Sequence, residues 1–84
     1  MYRLVFTKNA DKVLRKMSRN TARLIRKKLD QIAIAPYDHN PNTTKLRGRS
    51  GYRLRVGDWR VINEIEDDKL IILVLKIASR GGIY

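Results

Sequence analysis

Two alternating runs, Tyr52-Arg53-Leu54-Arg55-Val56 and Trp59-Arg60-Val61-Ile62, flank the dipeptide Gly57-Asp58. A two-residue loop with glycine first suits a tight hairpin turn, so one choice fixes the pairing of both runs. Val56 then opposes Trp59, Arg55 opposes Arg60, and Leu54 opposes Val61. Side chains alternate across a sheet. Arg53, Arg55 and Arg60 therefore share one face, and Leu54, Val56, Val61 and Ile65 share the other. A slip of one residue would send the arginines into the core, so the register is strongly constrained. The apolar side needs a cover, and the arginine side needs to stay open.

The rest of the chain supplies that cover. Tyr2 to Thr7 alternates and is rich in aromatic and branched residues, which predicts a first strand. Thr7 suits the cap of a helix. Ala10, Val13, Leu14 and Met17 recur at helical spacing through residues 8–18. Ser18 to Asn20 breaks the pattern. A second helix follows with Ala22, Ile25, Leu29 and Ile32 on one face, and Pro36 stops it. Residues 36–51 contain both prolines and read as a loop. Strands are expected over 52–56, 59–66 and 69–78, with a tight turn at Asp67-Asp68. The last of them is apolar on both faces, which marks a central strand with an edge free for the first. The expected fold is α+β: a βααβββ order, with a small antiparallel-dominated sheet and two N-terminal helices packed on one face. Eighty-four residues predict a single domain, 1–84, with a modest core.

Charge narrows the functional classes. Nineteen Lys and Arg against eight Asp and Glu leave a formal +11, a field that draws polyanions. Glu64, Glu66, Asp67 and Asp68 crowd one hairpin end, so much of the remaining surface is positive. There is no cysteine, hence no disulfide or thiolate metal site, and a cytoplasmic protein is expected. The apolar run Leu70–Leu75 is far short of the roughly 20 residues that cross a bilayer, and the opening residues do not read as a secretory signal. No cofactor and no metal are expected.

Like charges directly opposite one another weaken a strand pair by up to about 1 kcal/mol. No acid at the same level answers Arg55 and Arg60. An uncompensated arginine face is suited to phosphate, whose oxygens match the paired donors of a guanidinium. Arg80 follows the last strand, and Gly81-Gly82 leads to Ile83 and Tyr84, a ring able to stack on a base.

Several segments, in this order, resemble the RelE/ParE superfamily of bacterial toxins, and within it the RelE-type mRNA interferases. They are the opening strand, the paired helices, Lys45-Leu46-Arg47-Gly48, Tyr52-Arg53-Leu54-Arg55, Trp59-Arg60-Val61, the acidic hairpin, and Ala78-Ser79-Arg80 leading to Tyr84. The resemblance implies the toxin of a type II toxin-antitoxin system. It implies a metal-independent endoribonuclease that enters the A site of the 70S ribosome and cuts mRNA there. The RNA's own 2′-hydroxyl is the nucleophile, and a cognate antitoxin protein is the partner. It implies catalytic roles for Arg55, Arg60, Arg80 and Tyr84, and RNA contacts for Lys45, Arg47 and Arg53. Arg60 corresponds to a phosphate-holding arginine, Arg80 to one assigned to the leaving group, and Tyr84 to a tyrosine stacking on a codon base. Arg53 and Arg55 stand where such enzymes often carry lysine. An arginine stays protonated, so Arg55 is a poor general base, and Tyr84, a water or a phosphate oxygen is left for that task. Glu64 and Glu66 fall away from the site by register, and His39 reads as a surface histidine. Alternatives are a ParE-type inhibitor of DNA gyrase, a non-enzymatic basic nucleic-acid-binding module, or a small ribosome-associated protein.

Overall fold

Thr7 ends the first strand, begins the first helix, and touches the last strand. Its hydroxyl oxygen accepts from the Ala10 amide (3.2 Å) and donates to the Leu75 carbonyl (2.9 Å), while its own amide donates to the Val74 carbonyl (3.0 Å). The computed structural model describes residues 1–79. In chain order they form β1 (Arg3–Phe6), α1 (Lys8–Lys16), α2 (Arg19–Ile34), β2 (Thr43–Lys45), β3 (Tyr52–Val56), β4 (Trp59–Glu66) and β5 (Ile71–Ser79). The five strands lie in the order β1-β5-β4-β3-β2; β1 runs parallel to β5, and the other pairs are antiparallel. This is the expected α+β arrangement, with β1 on the free edge of β5.

Both helices cover one face of the sheet. Ala10 from α1 and Ile25, Leu29, Ile32 and Ala33 from α2 meet Leu54, Val56, Val61, Ile72, Val74 and Ile77. Val13, Leu14 and Met17 pack at the margin of this core. Ser18 caps α2 by accepting from the Thr21 amide at 3.3 Å. Arg26 lies over the Phe6 ring, 5.3 Å from its centroid, and so fastens α2 to β1. Among the described residues, no helix is long and apolar enough to cross a membrane.

Two expectations change, and one irregularity is new. First, the segment 36–51 is not all loop, because β2 pairs with β3 through Thr43↔Leu54, Thr44↔Arg53 and Lys45↔Tyr52. Three residues are too few for a period-two signal. The strand is set by its neighbours: Asn40 Oδ1 accepts from the Asn42 amide (2.9 Å), and the Asn42 carbonyl accepts from the Arg55 amide (2.8 Å). Second, the turn before β5 is a 3-10 turn, Asp67–Lys69, closed by Leu70 in the left-handed region at φ 54°, and β5 begins at Ile71 rather than residue 69. The irregularity is a bulge in β5. Ile62 pairs with Lys76 but Asn63 pairs with Val74, so Leu75 is an extra residue. Ile72 and Val74 face the helices before this bulge and Ile77 after it. Regular alternation from Ile72 and Val74 would have put Lys76 in the core.

Asp67 gathers distant segments. Its carboxylate accepts from the Tyr2 hydroxyl (2.7 Å) and from the Tyr37 hydroxyl (2.5 Å), tying β1 and the segment after α2 to the β4–β5 turn. The Tyr37 bond, followed by the Tyr2 bond, holds the carboxyl below its ordinary range. The same contact with Asp67 pushes the Tyr37 hydroxyl up to about 12 and also raises that of Tyr2.

Two expected outcomes follow from these local constraints. Gly51 has φ +110°, and a Cβ there would lie 2.8 Å from the Asn63 carbonyl oxygen. Gly51→Ala should therefore cost on the order of 1–3 kcal/mol, measured by urea unfolding, and should loosen the loop that the Leu46 amide closes onto the Gly51 carbonyl. The Asp67 contacts should be pH-dependent at both extremes. The carboxyl is lowered on folding, so its contribution is complete above the ordinary carboxyl value of 3.8 and fades as pH falls through the lowered folded value. The Tyr37 hydroxyl is raised, so its contribution is complete below pH 10.0 and fades as pH rises toward about 12. The stability difference between wild type and Asp67→Asn should be greatest on the plateau between and shrink on both sides, read from unfolding curves across pH.

Candidate nucleic-acid interface

The uncovered face of the sheet is built from two adjoining rungs. One runs Arg55↔Arg60↔Ala78, and the next runs Thr44↔Arg53↔Ile62↔Lys76. Gly57 adopts φ +57° at the first loop position, as a type II′ turn requires, and this locks the two arginines of the first rung opposite each other. Trp59 and Val56, their neighbours in sequence, turn to the helix side.

Arg60 is anchored by its own hairpin. Its Nη1 donates to the carbonyls of Gly57 and Trp59, each at 3.0 Å. Nε and Nη2 have no hydrogen-bond partner among the described residues. Those two nitrogens form the edge of a guanidinium that meets a phosphate with parallel bonds. Arg55 and Arg60 line a cleft of about 180 Å³ with Arg53, Thr44, Asn42 and Pro41, and no carboxylate among the described residues borders it. The salt bridges among the described residues, Asp11–Arg15 and Asp30–Arg26, are on the helices.

A larger groove of about 630 Å³ adjoins this cleft and shares Thr44 and Arg53 with it. Lys45, Leu46, Arg47, Arg49, Ile62, Leu75 and Lys76 complete its lining. The structure thus brings Lys45, Arg47 and Arg53 to one groove, and Arg53, Arg55 and Arg60 to one cleft. Arg80 and Tyr84 lie outside the described residues.

The other groups weighed from sequence fall elsewhere. Glu64 is on the same face as Ile62 but four residues beyond Arg60, about 13 Å along the strand, and it accepts from the Ser50 hydroxyl at 2.8 Å. His39 is exposed and borders a separate cavity of about 220 Å³ on the helix side. Asn63 and Thr43 also line that cavity, and Asn63 Nδ2 and Thr43 Oγ1 are buried without a hydrogen-bond partner among the described residues. No three His, Asp or Glu side chains among the described residues group as metal ligands. Sequence reasoning missed Lys76, Leu75 and Thr44. The available signal was the misfit of Lys76 to a strand whose other members through Ala78 are apolar.

The sequence matches, over residues 4–84, the family described as the ParE toxin of the type II toxin-antitoxin system, parDE. Among curated proteins none matches. Solved structures do. A chain of the intact E. coli RelBE toxin-antitoxin complex superposes with a TM-score of 0.81 at 26% identity, over 94% of this chain and 96% of that one. The isolated E. coli RelE toxin gives 0.82 at 25% identity, over 95% and 85%. A chain of the archaeal RelE-RelB complex from Pyrococcus horikoshii gives 0.78 at 26%, over 96% and 97%. With a family match spanning nearly its whole length and the sheet-and-helix architecture of these structures, the chain belongs to the ParE toxin family of type II toxin-antitoxin systems, within the RelE/ParE superfamily.

Proposed function

We propose that this toxin is an mRNA endoribonuclease of the RelE type, which enters the ribosomal A site and cuts the codon there. The Arg55–Arg60 rung carries this reading. Two cations held face to face at a cost to the sheet, one of them with its phosphate-binding edge left open, suit an anion whose charge grows during reaction. In 2′-hydroxyl attack, the 2′-oxygen loses its proton and bonds to the adjacent phosphorus. The bond from phosphorus to the 5′-oxygen then breaks, and that oxygen takes a proton. The 5′ fragment ends in a cyclic phosphate and the 3′ fragment begins with a hydroxyl. Arg60 and Arg55 stabilise the pentacovalent phosphorane, and positioning of the 2′-hydroxyl supplies further acceleration. By resemblance, Arg80 steadies the leaving oxygen and Tyr84 stacks on a codon base. Arginine does not accept the 2′ proton, so Tyr84, a water or a phosphate oxygen does.

The partner is a cognate antitoxin. RelBE and RelE-RelB complexes are known for the similar toxins, and a chain of +11 favours an acidic segment. A second reading, inhibition of DNA gyrase, is favoured by the family match itself, since that family is named for ParE. Two parallel reactions separate the readings: purified protein with programmed ribosomes, mapped by primer extension, and with gyrase and supercoiled DNA. Cuts inside the A-site codon support the nuclease. Intact mRNA with blocked supercoiling overturns it.

The chemistry should be sensitive to single atoms. Arg60→Ala should lose about 2.7–4 kcal/mol of transition-state stabilisation, some 10²–10³ in single-turnover rate, with an unchanged circular dichroism spectrum. Arg60→Lys should recover little, because an ammonium offers no planar pair of donors. Full activity in folded Arg60→Ala would remove the site. Independently, one 2′-deoxy substitution on the 5′ side of the scissile phosphate should abolish cleavage. EDTA should leave it unchanged on ribosomes kept intact, and the opposite result in either assay would refute 2′-hydroxyl attack without metal.

A further inference from the structure

We propose that the amphipathic groove beside the arginine cleft is a second nucleotide subsite, seating the base next to the scissile phosphate on Leu46, Ile62 and Leu75, with a flanking phosphate against Lys76. This rests on the single-stranded RNA reading above and extends it by one nucleotide.

The floor is the first observation. Ile62 is only 5% exposed yet is not part of the core beneath the helices. It is covered from the open side, where Leu46 and Leu75 border the same groove. A patch of aliphatic surface at the bottom of a basic groove gives a flat base a place to leave water. The bulge is the second. The extra residue in β5 brings Leu75 and Lys76 to the same groove, so an apolar contact and a cation stand side by side, as do a base and its phosphate. Bulges re-aim side chains in this way at functional sites.

Charge and continuity choose the occupant. Cations flank the floor from β5 (Lys76) and from β2 and the loop after it (Lys45, Arg47, Arg49), and no acid among the described residues lines the groove. Thr44 and Arg53 border both groove and cleft, so the two form one track. Successive rungs on this face are two residues apart, roughly 6.6 Å, about one step of an extended polynucleotide. The groove's volume of about 630 Å³ falls within the range of roughly 300–1,000 Å³ usual for small-ligand sites.

The test uses mRNA on programmed ribosomes, with a 2′-deoxy residue blocking the cut and 4-thiouridine on either side of the scissile phosphate. Photocrosslinking to the full-length toxin, read by mass spectrometry, should attach one of the two positions to residues 44–49 or 75–76. With cleavable mRNA, Lys76→Ala and Leu46→Ser should raise the half-saturating concentration several-fold while leaving the maximal single-turnover rate within twofold. Lys76→Ala should also lower the slope of log affinity against log salt by about one. Circular dichroism confirms folding, and Lys76→Arg should restore binding. Crosslinks confined to the 55–60 hairpin, or unchanged half-saturation in folded Lys76→Ala, would overturn the subsite. So would loss of antitoxin binding in Lys76→Ala with RNA binding intact, which would make the groove a protein-docking surface. If the wild type cuts nothing on ribosomes, the nuclease reading fails separately. Crosslinking of a free 4-thiouridine oligonucleotide then decides the groove: attachment at the same residues upholds it, and attachment elsewhere or none overturns it.

Discussion

The bulge at Leu75 and the Thr7 hydroxyl that takes its carbonyl hold the two sides of this protein together. An extra residue interrupts the ladder and leaves a main-chain group in need of a partner. Thr7 meets that need while also capping α1 and hydrogen-bonding β5 through its amide. The irregularity lets a central strand supply Ile72, Val74 and Ile77 to the core and still deliver Lys76 to the open face. Without it, one period-two strand would have to choose between a buried ammonium and an incomplete core.

The same molecule keeps charge where folding alone would disperse it. Arg55 directly opposite Arg60 works against the hairpin by up to about 1 kcal/mol, a noticeable fraction of the stability of a small domain. The apolar pairs on the reverse side, Leu54 with Val61 and Val56 with Trp59, hold the register despite this. Two acids of the β4–β5 hairpin stand apart: Glu64 binds the Ser50 hydroxyl, and Asp67 binds two tyrosines. Each is occupied by a neutral donor, and neither neutralises the arginine cleft.

Much of this was legible in the sequence, and the reasons are physical. The hairpin register followed from a two-residue turn and strict alternation, both local. The helices announced themselves by apolar spacing and by Thr7, Ser18 and Pro36. What escaped depends on contacts across the fold. β2 exists because Asn40 and Asn42 shape a turn and β3 offers an edge. The bulge exists because β4 and β5 must satisfy a core on one side and a groove on the other. The clasp of Asp67 by Tyr2 and Tyr37 joins residues up to 65 positions apart, for which no periodicity speaks. Arg53, Arg55 and Arg60 were placed on a common face by parity alone. Their continuity with Lys45 and Arg47 required knowing how the segment after β2 returns to β3.

The sheet is closed at one edge by the beginning of the chain. Arg3 pairs with Ile71 and Phe6 with Val74, a separation of 68 residues. During synthesis β1 therefore emerges long before its partner exists, and α1 and α2 have no sheet to cover. The core cannot assemble until nearly the last strand has left the exit tunnel. Pairing of this kind makes folding slow relative to local structure, and it couples synthesis of β5 to the formation of the supported sheet. A nascent fragment, however basic, lacks the rung that sets Arg55 against Arg60 on a supported sheet. The order of the strands thus delays the arginine cleft until β5 has been made to receive β1.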